Sequence, residues 1–87
     1  MKMDKKVNSI KEVDLSGLKM PMAAVYQNPL DYPDKVVARI FDMDKPTDTV
    51  IVKESLEEIQ KDIKENTSLI FVERGADDVK SVVGVWV

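Results

Sequence analysis

The chain has 87 residues, 44% of them apolar and 33% charged, no cysteine, no histidine and a formal net charge of −3. That length supports one small domain. The missing residue types exclude disulfides, thiolate metal sites, the usual general base and every Ser-His or Cys-His nucleophile pair.

Three scattered glycines form no phosphate-cradling loop. The expectation is a chain that is not an enzyme and holds no metal and no cofactor. An acidic pI of about 4.9 argues against wide phosphate contact, so nucleic acid is not expected as a partner. No apolar run reaches the roughly 18 residues of a membrane span, and no hydrophobic signal core follows Met1–Lys6, so a cytoplasmic protein is expected. A domain this short buries only roughly 60–65% of its unfolded surface, so self-association would add useful stability.

Residues 1–19 are polar and lysine-rich, with Val7, Ile10 and Val13 spaced by three. They read as a flexible arm ahead of a single domain at 20–87, or as a short element docked on that domain. Met22–Tyr26 reads as a first strand, with Pro21 at its start, where a missing N–H does least harm. Residues 27–35 hold two prolines, an asparagine and two aspartates, which is loop chemistry. Val36–Met43 is a second strand. It places Val36, Ala38 and Ile40 on one face and Val37, Arg39, Phe41 and Met43 on the other. Asp44–Asp48 reads as a turn, and the β-branched run Thr49–Lys53 as a third strand.

A helix follows over about 55–66. Ser55 and Glu58 have the spacing of a capping box, and Leu56, Ile59 and Ile63 make one narrow apolar stripe. Asn66 suits a left-handed closing position. Ser68–Glu73 reads as a fourth strand, 74–78 as a turn, and Val79–Val87 as a fifth strand. The order β-β-β-α-β-β predicts an α+β fold. It is expected to be a single five-stranded, mostly antiparallel sheet in the order 3-2-1-4-5, with the helix on one face.

Three apolar helix side chains cannot cover a sheet with apolar residues on both faces. Either the N-terminal arm or a second copy of the chain must cover the remaining face, and a homodimer is the expectation. Arg39, Phe41, Met43, Val82 and Trp86 are the candidate interface residues. Asp42, Asp44 and Asp48, and likewise Asp77 and Asp78, read as solvated turns rather than a calcium loop, because their spacing does not match one. Tyr26, Tyr32, Phe41 and Trp86 could stack bases. Asp31, Asp34 and Asp42 surround the nearby Lys35 and Arg39, so packing is the better reading. Lys2, Lys5 and Lys6 read as a solvated tail.

Several tracts resemble a group of short bacterial proteins of unassigned function: Asp31-Tyr32-Pro33-Asp34-Lys35-Val36-Val37-Ala38-Arg39-Ile40-Phe41-Asp42, Lys45-Pro46-Thr47, Ser55-Leu56-Glu57-Glu58-Ile59 and the closing Val85-Trp86-Val87. That resemblance implies a stand-alone domain over about 20–87 with no catalytic residues to carry over. The strand and hairpin leading into Ser55-Leu56-Glu57-Glu58 are also similar to the HicB antitoxin fold, a trimmed ribonuclease H-like sheet. HicB proteins usually carry a glycine shortly before that helix, where this chain has Val52-Lys53-Glu54. The expected function is a small protein-interaction module. The alternatives are an antitoxin-like regulator that neutralises a basic partner, and a weak nucleic-acid-binding domain.

Overall fold

The computed structural model describes residues 5–30, 32–43, 45–73 and 82–87. The predicted turn at 74–78 and the start of the last predicted strand lie outside them, as do Lys2, Asp31 and Asp44. The fold is α+β, with one α-helix and one sheet. In chain order come β1 (Lys5–Val7), two 3₁₀ turns at Ile10–Glu12 and Leu15–Gly17, β2 (Pro21–Gln27) and β3 (Val36–Asp42). These are followed by β4 (Lys45–Lys53), α1 (Leu56–Asn66), β5 (Phe71–Glu73) and β6 (Val82–Trp86).

The sheet has six strands in the order β1-β4-β3-β2-β6-β5, not five. The added strand, β1, pairs parallel to β4, so the sheet is mixed; the other neighbours are antiparallel. The expected order 3-2-1-4-5 also needs correction. The last strand, β6, lies beside β2, and β5 takes the edge. The exchange follows burial. β6 carries the buried Gly84 and Trp86, while β5 ends in the exposed Val72 and Glu73.

Register explains how one narrow helix covers the middle of one face. Ala23 pairs with Ile40, Val25 with Ala38, and Ala38 with Ile51. The two alanines leave room above the middle of the sheet. Ile59 and Ile63 of α1 join them in a single core cluster and are fully buried. Burying such a side chain is worth roughly 1.5–3 kcal/mol.

The helix begins as its sequence dictates. The Ser55 hydroxyl accepts from the Glu58 N–H, and the Glu58 carboxylate accepts from the Ser55 N–H. It does not close on a left-handed Asn66. Thr67 is extended (φ −140°); its hydroxyl donates to the Ile63 carbonyl, and the Asn66 amide donates to the Asp62 carbonyl. Side-chain donors thus satisfy the last carbonyls in place of a reversed backbone.

The N-terminal stretch packs on the helix side of the sheet. Asp62 holds it there: its carboxylate accepts from the Ser9 hydroxyl at 2.6 Å and from the Ile10 N–H at 2.7 Å. Ile10 is then buried in the same cluster as Ile59 and Ile63, with Val7, Val13, Leu15 and Leu18 packed around it. Nothing in the local sequence marks Asp62 for this role. Its use as a clamp comes from tertiary geometry, which no local pattern carries.

The predicted turn at Asp44–Asp48 is also shorter than expected. β4 starts at Lys45, and Pro46 lies inside it, opposite Phe41 at a bulge between Arg39 and Phe41. Irregular pairing is where a strand tolerates proline.

Candidate functional site

One side of the sheet is closed by α1 and the N-terminal stretch. The other side is divided. Its β1–β4 end is covered by the loop between β2 and β3. Asn28 takes a left-handed conformation (φ 54°), its N–H donates to the Lys35 carbonyl and its side chain to the Pro33 carbonyl. The loop returns on itself through the Tyr32 N–H, which donates to Pro29. Tyr32 lies beneath the Lys6 ammonium, 5.3 Å from the ring centre, and lines a small recess with Tyr26, Val37 and Arg39. Val37 and Val50 are buried at this end. The Arg39 guanidinium donates to the Thr47 carbonyl at 2.8 Å and marks the boundary.

Beyond Arg39 no described residue covers the sheet. Met20, Met22, Phe41, Met43, Val82 and Val85, with Ala24 and Tyr26 between them, line an open trough of about 550 Å³. Among the described residues no charged side chain lines it. The strands supply these side chains by alternation: Met22, Ala24 and Tyr26 from β2 pair with Phe41, Arg39 and Val37 from β3.

The end of the trough is built by hydrogen bonds. The Asp42 carboxylate accepts from the Lys19 and Met20 N–H groups, both at 3.1 Å, and the Met43 N–H donates to the Met20 carbonyl. Met43 sits at φ 61°, a region a side-chain-bearing residue occupies at some cost. The two methionines are thereby held side by side, 57% and 52% exposed. Val72, Ile70 and Val87 extend the apolar surface toward the β5 edge and are also exposed.

Of the residues predicted as an interface, Arg39, Phe41, Met43 and Val82 lie on this side. Trp86 does not. It is buried on the helix side, its indole N–H donating to Gln60 Oε1 at 2.9 Å and its ring centre 5.2 Å from that of Phe71. The reason is a bulge. Gly84 pairs with Val25 but Val82 pairs with Tyr26, so Val83 is an extra residue that shifts the alternation. Simple counting by twos put Val82 and Trp86 on one face, and the bulge separates them. Sequence reasoning missed Met20, Met22 and Val85. The first two stand two apart at the start of β2, a period-2 signal that Pro21 obscured.

Lys5 and Lys6, read as tail residues, lie in β1. The proposed stacking group is dispersed: Phe41 lines the trough, Tyr32 lies on the loop and Trp86 is on the opposite face. Among the described residues no group of carboxylates is placed to hold a metal, and no helix is long and apolar enough to cross a membrane. No protein-family model, no curated protein and no solved structure matches the chain.

Proposed function

We propose that this chain is a small non-enzymatic interaction module that works as a homodimer, with the open sheet face as its contact surface. The observation that carries this reading is the trough between β3, β2 and β6, which among the described residues is uncovered and lined by no charged side chain. Two agents were available to cover a second apolar face: the N-terminal stretch and another copy of the chain. The N-terminal stretch is committed to the helix side by Asp62. A second copy remains, and sheets pack face to face at about 10 Å with interdigitating apolar side chains.

Size is compatible with this arrangement. The molecule's two longer extents are 30 and 29 Å, which leaves room for the roughly 800 Å² per partner of a standard interface. Methionine suits such a surface because its unbranched thioether adapts to irregular neighbours. Without histidine or cysteine the chain has no Ser-His or Cys-His nucleophile pair, which supports a role in binding rather than catalysis.

Sedimentation velocity at high micromolar concentration tests the reading. The wild-type chain is expected to run as a dimer, and Phe41→Asp or Met43→Asp as a monomer with unchanged far-ultraviolet circular dichroism. A wild-type chain that stays monomeric at that concentration overturns it.

A further inference from the structure

The sheet has two edges, and their chemistry differs. The β1 edge presents Lys5 and Lys6, both exposed. Lysines on an edge oppose pairing with a foreign strand. Among the described residues the β5 edge has no such guard. From Thr67 to Glu73 there is neither lysine nor proline, and Ile70 and Val72 are 69% and 49% exposed.

Hydrogen-bond phase fixes which groups of β5 face outward. Ile70 and Val87 exchange both backbone bonds, at 2.8 and 2.9 Å. In an antiparallel ladder the bonded pairs recur every second residue, so Val72 faces Val85 in the same way. The N–H and C=O groups of Phe71 and Glu73 therefore point away from β6, and the sheet order ends at β5. At the other end the Leu69 N–H is already taken by the Thr67 hydroxyl at 3.2 Å, which bounds the free stretch.

The edge is also held in shape. The Phe71 ring lies across Gly84 so closely that a Cβ there would come within 2.4 Å of the ring and 2.6 Å of the Val72 carbonyl oxygen. A strand fixed in this way loses little freedom when another pairs with it.

We propose that the β5 edge is a strand-addition site for an extended segment of another protein. That segment runs antiparallel, is apolar on alternate residues, and carries a basic residue opposite Glu73. Main-chain bonds to Phe71 and Glu73 supply affinity, and the alternate side chains extend the apolar surface of Ile70 and Val72. Charge selects a foreign strand over a second copy. Antiparallel pairing of two β5 strands about Phe71 would set Glu73 opposite Leu69, whose N–H is already used, and would leave both carboxylates without a cation. The proposal does not rest on self-association through the open face, because edge bonds lie in the plane of the sheet and that contact lies across it.

The probe is a short synthetic peptide of alternating valine and threonine with one lysine near its N-terminal end, followed by amide nuclear magnetic resonance and fluorescence anisotropy. Binding is expected to shift the Phe71 and Glu73 amide resonances and slow their exchange with solvent. N-methylation of alternate peptide amides, lysine replaced by glutamate in the peptide, or Val72→Lys in the protein should each weaken binding by at least about tenfold. Phe41→Asp, which tests the open face, should leave peptide binding intact. The proposal is overturned if the peptide moves only resonances of the trough, if it moves none, or if Phe71 and Glu73 are already protected in the protein alone.

Discussion

The two faces of this sheet share six strands but are furnished differently. The closed face carries Ile10, Ile40, Ile51, Ile59 and Ile63, all essentially inaccessible to water. The open face carries Met20, Met22 and Met43 around Phe41. Isoleucine is stiff at χ1 and fits one neighbour in one way, whereas methionine has three rotatable bonds and adapts. The contrast teaches that apolar content alone does not distinguish a core from a contact surface. The two faces differ in side-chain stiffness: the isoleucines lie on the face closed by α1 and the N-terminal stretch, and the methionines on the face that no described residue covers.

That contrast can be broken experimentally, starting where the effect is largest. Ile59→Ala, at the centre of the closed face, should lower unfolding free energy by about 3 kcal/mol, read from the guanidinium midpoint at constant m-value. Asp62→Ala leaves the Ser9 hydroxyl and Ile10 N–H without their acceptor. It should cost about 1–2 kcal/mol, the low end for charge-assisted bonds because Asp62 is only half-buried. The same variant should raise amide exchange in residues 5–13 ahead of the rest of the chain. Ser55→Ala removes the helix cap and should cost about 1 kcal/mol in the same denaturation assay.

On the open face, Met43→Asn should change the stability of the dissociated chain by less than about 0.5 kcal/mol. It loses apolar surface that water already reaches, and asparagine tolerates the left-handed backbone better. A loss at Met43 as large as that at Ile59 would mean that both faces serve the core of a single molecule.

Legibility in the sequence followed the range of the interactions involved. The helix was readable because its cap, stripe and charges all lie within twelve residues of one another, from Ser55 to Asn66. The strands β2, β3 and β4 were readable from alternation and β-branched content. The position of β1 was not, because parallel pairing with Thr49–Ile51 and the Asp62 clamp join distant parts of the chain. The exchange of β5 and β6 was hidden for the same reason. The face of Trp86 turned on a single extra residue, Val83, which no spacing rule announces. Part of the trough was legible, since Phe41 and Met43 followed alternation, whereas Val82 shares this side with Val85 only because of the bulge at Val83. Met20 and Met22 are brought to it by Asp42, whose carboxylate reaches back 22 and 23 residues to Met20 and Lys19.

The Asp62 clamp also orders events during synthesis. Ser9 and Ile10 leave the ribosome 53 and 52 residues before the carboxylate that will hold them. The strand that β1 joins likewise emerges only after β2 and β3. Of the described strands, β1 is thus made first yet docks only once β4 and α1 are present. Until α1 has been translated, Ile10 lacks both its Asp62 acceptor and the Ile59 and Ile63 side chains it packs against, so it stays in water while β2, β3 and β4 are made.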